Sequence, residues 1–289
     1  MVRPVRVAAL TALALAGFAA NSILTRDGLA SGAIDPASFL AIRFGSGAAV
    51  LTWLAWRERG ADGARPVRPP WTSALALAGY GVAFTYGYTR IGAGLGALAL
   101  FGAVQATMIG LALARGERPG WRAASGWLLA ISGLVTLTWP GAAVPPRLGV
   151  GLMLAAGACW GVYTLLGRGA AHPVDSTAVN FRRALPAALL VLAAEAAHLH
   201  ATTTGIALAI TSGAVTSGIG YALWYAALPH LSAWRAAVVQ LLTPVLTAVA
   251  ASVWLAERPG WRLLVAGALI VGGVALSLAP VRRRDAPDA

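Results

Sequence analysis

The chain has 289 residues, 58% of them hydrophobic and 11% charged, with a formal net charge of +12 and a mean hydropathy of +0.72. A water-soluble domain of this length could not cover so much apolar surface, so the composition reads as membrane spans of about 20 residues each. The positive charge would point to nucleic acid in a soluble protein. Here every cation is an arginine and most lie between apolar runs, as topology signals do, so no nucleic-acid partner is expected.

In chain order the apolar runs fall at 5–24, 36–56, 72–89, 93–114, 121–139, 148–167, 175–194, 202–225, 231–255 and 261–279. They are continuous rather than alternating, which favours spanning helices over a β-barrel. The expected fold is an all-α polytopic membrane protein of ten transmembrane helices. Pro-Gly, Asp-Pro and Pro-Pro steps punctuate the connections. The first run, behind Arg3 and Arg6, resembles a secretory signal, but it corresponds to the sixth run in the repeat below, so it is read as a helix. The single cysteine, Cys159, lies within a run, which excludes a disulfide framework or a multi-cysteine metal site. No metal or cofactor is expected.

The hexamer Glu117-Arg118-Pro119-Gly120-Trp121-Arg122 reappears 140 residues later as Glu257-Arg258-Pro259-Gly260-Trp261-Arg262. The same shift maps Asp35 to Asp175, Arg43 to Arg183, Gly133 to Gly273 and Pro140 to Pro280. Two copies of so long a period mean two fused halves, here residues 1–140 and 141–289, the second ending in a short basic tail. Five helices per half is an odd number, so the second half enters the membrane inverted. Inverted repeats of this kind place a site near the midplane that opens alternately to each side. With the N-terminus in the cytoplasm, the arginine clusters at 3–6, 57–68, 115–122 and 282–284 all fall inside. The positive-inside rule then puts both termini in the cytoplasm of an inner-membrane protein.

These halves, each with a Glu-Arg step after its fourth helix and a Gly-rich fifth helix, resemble the EamA-type transporters of the drug/metabolite transporter superfamily. The second half carries the resemblance in Val239-Gln240-Leu241-Leu242-Thr243-Pro244-Val245, in Trp254-Leu255-Ala256-Glu257-Arg258 and in Gly267, Gly272 and Gly273. The first half departs from it: Val104 stands where Pro244 stands. The resemblance implies a cavity lined by helices 1–4 and 6–9, with helices 5 and 10 peripheral, and export of amino acids, aromatic ones included, or other small metabolites.

All ten carboxylates lie in connections, at run ends or in the tail. An intramembrane carboxylate is the usual proton relay or cation site, so a facilitator or exchanger is expected. Arg43 and Arg183 are repeat-equivalent cations inside runs. Each is a candidate to attract a substrate carboxylate or form a gate, or else snorkels to the interface. Phe18 with Asn21, and Trp160 with Tyr163, sit at i, i+3 on one helix face, suited to an amphipathic metabolite or to plain aromatic packing. Tyr80 on the third run and Tyr221 on the eighth belong to a second aromatic set. Gln105 and Gln240 must avoid lipid, by lining a cavity or by bonding between helices. Pro244 frees a carbonyl and is a candidate hinge.

The substrate-binding candidates are therefore Asn21, Arg43, Tyr80, Gln105, Trp160, Tyr163, Arg183, Tyr221 and Gln240. The expected function is transport of a small amphipathic metabolite, best an amino acid and within that class an aromatic one, by alternating access. The alternatives are another solute, such as a drug-like cation or sugar derivative, or a membrane-embedded enzyme or lipid-handling protein. No nucleophile-base-orienter set assembles, so an enzyme is not expected. The partners are a small-molecule substrate and the lipid bilayer, with a homodimer as the oligomer to consider.

Overall fold

The structure is a computed structural model that describes residues 4–62, 68–91, 93–138, 146–254 and 261–279. Arg3, Arg65, Pro140, the hexamer residues Glu257, Arg258, Pro259 and Gly260, Pro280 and the tail arginines 282–284 lie outside the described residues. Among those described, the chain forms the helices that the apolar runs call for. These are α1 (Pro4–Ala30), α2 (Pro36–Asp62), α3 (Trp71–Tyr88), α4 (Ala93–Ala114), α5 (Trp121–Thr138), α6 (Arg147–Gly167) and α7 (Pro173–Ala194). The eighth run is α8 (Thr203–Thr211), a π-helical segment (Ser212–Ile219) and α9 (Gly220–Ala227) in series. The ninth run is split into α10 (Ala233–Gln240) and α11 (Leu242–Trp254), and α12 (Trp261–Leu278) follows.

Among the described residues, eight helical stretches are long and apolar enough to cross a membrane. Helices α3 and α5 fall outside that set. Tyr80, Tyr86 and Tyr88 lower the hydropathy of α3, and Arg122, Ser125 and Ser132 that of α5.

Lipid supplies no hydrophobic drive between helices, so close approach of small residues has to hold the bundle. The contact of α5 with α12 is the plainest case. A Cβ on Gly126 would collide with the Gly273 carbonyl, and one on Gly273 with the Gly126 carbonyl. One on Gly133 would meet the Ala266 carbonyl. Helices α3 and α4 pack on α6, α2 packs on α7, and α1 packs on the π-helical segment, α9 and α11. The outer surface carries Leu75, Leu128, Leu190 and Leu264, all exposed as a lipid-facing surface requires. Trp71, Trp121 and Trp261 each open a helix and are exposed, the placement of headgroup anchors. Arg122 lies over the Trp121 ring at 5.3 Å and Arg262 over Trp261 at 5.8 Å.

Candidate functional site

A cavity lies in the middle of the bundle where α1, α3, α4, α6, α9 and the α10/α11 break converge. Its walls include Phe18, Asn21, Tyr80, Phe84, Trp160, Tyr221, Gln240 and Thr243. The free volume is about 30 Å³, room for a water or two and not for a metabolite. The aromatic rings have closed on one another. Trp160 lies 4.8 Å from Tyr221, 5.1 Å from Tyr80 and 5.2 Å from Phe18, centroid to centroid. Edge contacts of this kind, as between Phe18 and Trp160, hold rings without locking them, at about 0.5–1.5 kcal/mol per pair.

Behind this aromatic box sits Arg43, fully buried. Its Nε donates to Ser217 Oγ at 2.9 Å and its Nη2 to Tyr221 Oη at 3.0 Å. Its Cζ lies 5.6 Å from the Tyr80 ring centre and 5.5 Å from that of Phe84. Nη1 is buried without a hydrogen-bond partner, and among the described residues no carboxylate pairs with the guanidinium. Ser217 links the arginine to Asn21, whose Oδ1 accepts from Ser212 at 2.7 Å, Thr216 at 3.3 Å and Ser217 at 3.4 Å.

The π-helical segment makes this network possible. Its wider turn brings Ser212, Thr216 and Ser217 to one asparagine, and such turns recur at functional sites. It also needs Gly213, where a Cβ would collide with the Arg43 carbonyl and Ser46 Oγ of α2.

The sequence candidates separate on this geometry. Asn21, Tyr80, Trp160, Tyr221 and Gln240 line the cavity, and Arg43 stands directly behind it. Tyr163 does not reach it. Its buried ring packs against Trp160, Tyr221 and Tyr225, behind the box, because i+3 on α6 rotates it past the opening. Gln105 is also elsewhere: its Nε2 donates to the Ala237 carbonyl at 2.8 Å and its Oε1 accepts from Trp127 Nε1 at 3.2 Å, joining α4 to α10 and α5. Arg183, the repeat partner of Arg43, lies off the site too. Its Nη1 donates to the Pro69 carbonyl at 2.6 Å and its Cζ lies 4.4 Å over Trp71, so it snorkels to the connection before α3. Gln240 lines the cavity with a fully engaged side chain: Oε1 accepts from Trp160 Nε1 at 2.6 Å, and Nε2 contacts the Ala236 carbonyl and Met108 Sδ.

Ser212, Thr216, Thr243 and Phe84 are the residues that reading the sequence passes over. Hydroxyls spaced by four and five positions, ending at Tyr221, were the available signal.

Both ends of the bundle are tied. At one end the 31–35 connection meets the 199–202 connection. Ile34 and Ala201 form an antiparallel bridge, Asp35 N donates to the His200 carbonyl at 2.9 Å, and Thr202 N to the Ala33 carbonyl at 2.8 Å. The Asp35 carboxylate accepts from the backbone N–H of His200 and of Ser38, each at 2.8 Å. Burial alone would raise its pKa. The hydrogen bonds from Ser38 and His200 together outweigh burial and hold it below the usual 3.8. At the other end Arg168 Nη1 pairs with Glu117 at 3.1 Å and its Nε donates to the Leu231 carbonyl at 2.9 Å.

Apolar helices of membrane length packed around a polar and aromatic cavity define a multi-pass membrane protein. The EamA-like transporter family matches residues 147–279. A "Probable terminal-alkyne amino-acid exporter" of Streptantibioticus cattleyicolor is 31% identical over 211 residues, 70% of each chain. An uncharacterized protein of Pseudomonas aeruginosa is 48% identical over 283 residues, 98% of each chain. A crystal structure at 24% identity, covering 92% of this chain and 98% of its own, shares the fold with a TM-score of 0.71. The chain belongs to the EamA-like transporter family and is a transporter, not an enzyme.

Proposed function

We propose that the chain is an amino-acid transporter whose substrate carboxylate is drawn by Arg43 and whose side chain occupies the aromatic box. The observation that carries this reading is the fully buried Arg43 with Nη1 unpartnered, beside rings that line the cavity. An uncompensated cation at membrane depth is expensive, and a bound carboxylate offsets that cost. The same charge counts against a drug-like cation. The relative named as an amino-acid exporter supports the reading, and the apolar box favours an aromatic or other apolar amino acid over a polar one.

The working architecture is ten spans as two inverted five-helix repeats, 1–140 and 141–289, in the inner membrane with both termini cytoplasmic. Packing between the halves supports it. Adding 140 to Gly126 and Gly133 gives Ala266 and Gly273, and the contacts of Gly126 with Gly273 and of Gly133 with Ala266 exchange under that shift. Self-complementary pairing is what a two-fold relation between like objects produces. In this arrangement the Asp35 clasp closes the outer mouth and the Arg168 clasp the inner one, and they open in alternation. No carboxylate among the described residues lines the cavity, in keeping with facilitation or exchange.

The test is counterflow of labelled L-phenylalanine and L-leucine into liposomes holding the purified protein, with and without a pH gradient. Saturable counterflow indifferent to the gradient and lost in Arg43→Gln is expected. Accumulation driven by the gradient would overturn the uncoupled mechanism, and absence of counterflow from folded protein would overturn the substrate.

A further inference from the structure

We infer that the break between α10 and α11 holds the ammonium group of the substrate, so that the transported class is the α-amino-acid zwitterion; this rests on the amino-acid reading proposed above. Helix α10 ends at Gln240 and α11 begins at Leu242. Pro244 has no N–H, so the carbonyl of Gln240, four residues earlier, loses its helical donor. That carbonyl belongs to a residue that lines the cavity. A freed carbonyl at membrane depth requires protein or a wet cavity beside it, and Gln240 and Thr243, on either side of the break, both line the cavity.

An independent observation points the same way. Thr243 also lines the cavity, is 1% exposed, and its Oγ1 is buried without a hydrogen-bond partner. Other mid-helix hydroxyls bond back one turn, as those of Thr25 and Thr247 do at 2.8 and 2.9 Å, or are buried without a partner away from the cavity, as those of Thr52, Thr85, Thr164 and Ser277 are; Thr243 combines an unpartnered hydroxyl with a place in the cavity wall. The Gln240 side chain adds nothing to the ligand, because both of its ends are engaged. The break therefore offers two neutral oxygens and the negative end of a half-helix, the set that receives cations in broken transporter helices.

The repeat sharpens the contrast. Subtracting 140 from Gln240 and Pro244 gives Leu100 and Val104, which line the cavity from an unbroken α4. One wall is thus apolar and its repeat counterpart presents oxygen. No carboxylate among the described residues lines the cavity to pair with an ammonium group, and the Thr243 hydroxyl is the oxygen of its wall that is buried without a partner.

The full-length protein in liposomes, assayed by counterflow of labelled L-phenylalanine, tests the inference, with 3-phenylpropionate as the competitor that lacks the amine. In the wild type, 3-phenylpropionate should compete at least about tenfold more weakly than unlabelled L-phenylalanine, the scale of one hydrogen bond to a charged group. Thr243→Val should raise the KM for L-phenylalanine about tenfold without changing inhibition by 3-phenylpropionate, and Thr243→Ser should restore it. Pro244→Ala returns an N–H to the Gln240 carbonyl and should act like Thr243→Val. Equal competition by 3-phenylpropionate in the wild type, or unchanged KM in both Thr243→Val and Pro244→Ala, overturns the inference while leaving an amino-acid transporter. Absence of any L-phenylalanine or L-leucine counterflow from folded wild type overturns the amino-acid reading, and the ammonium site with it.

Discussion

A guanidinium kept inside a bundle without a carboxylate is costly, and Arg43 offsets part of that cost through Ser217, Tyr221 and the faces of Tyr80 and Phe84. Lysine has one point charge and no fork, so Arg43→Lys cannot serve Ser217 and Tyr221 together while leaving a donor free. Counterflow should fall at least about tenfold in Arg43→Lys and further in Arg43→Gln, with the loss in KM if the missing donor faces substrate. Asp35 makes a different prediction. Its folded pKa lies below 3.8, so its contribution is complete above that value and is lost as pH falls through the lower folded one. In detergent, Asp35→Asn keeps an oxygen for the Ser38 N–H but offers no second acceptor to the His200 N–H, and should lower Tm at pH 6 by an amount equivalent to about 1 kcal/mol, the net value of one hydrogen bond. The two proteins should converge on acidification below pH 4, and a gap that stays constant with pH would remove the carboxylate from the account. Arg43 and Trp160 were legible as candidates because a charge or an amphipathic ring in an apolar run is conspicuous. Ser212 and Thr243 were not, because hydroxyls in helices ordinarily bond to their own backbone.

At the scale of elements, the clasp between 31–35 and 199–202 and the glycine interlock of α5 with α12 do opposite jobs. The clasp is a few hydrogen bonds and one β-bridge between connections, weak enough to open. In a Cys159→Ser background, Ile34→Cys with Ala201→Cys places two thiols on directly bridged residues, within disulfide reach. Oxidation should stop counterflow and reduction should restore it; full activity in the crosslinked protein would mean that this end does not open. The interlock is backbone against backbone and has no room to give. Gly273→Leu should cost about 1–3 kcal/mol or more, read as a lower Tm, while Gly272→Leu, on an open face, should cost little. Helix identity and approximate ends followed from hydropathy, which sums over a run. The π-helical turn did not, since its hydroxyls find their acceptor, Asn21, on another helix; the split at Leu241 stands three residues before Pro244, the proline that marked this stretch.

At the scale of the molecule, the arrangement proposed here predicts which face each connection meets. Ser31 and Arg115 are both exposed. In spheroplasts of a Cys159→Ser background, Ser31→Cys should react with an impermeant maleimide directly, and Arg115→Cys only after lysis. Labelling in the reverse order would invert the topology, and labelling of both from outside would break it. The sequence by itself determined that this chain spans a membrane as helices and that one hexamer recurs at a spacing of 140 residues. Those properties rest on local sums: apolar area per residue, backbone bonds closed within a segment, and identity between copies. It left Arg43 and Arg183 as equals, and Gln105 and Gln240 as equals. Only the tertiary structure decided between them. Repeat-equivalent residues meet different neighbours: the α2 cation finds Ser217 and Tyr221, while the α7 cation finds Pro69 and Trp71. Charge and hydrogen bonding are pairwise, and a pair exists only once the chain has brought both partners together.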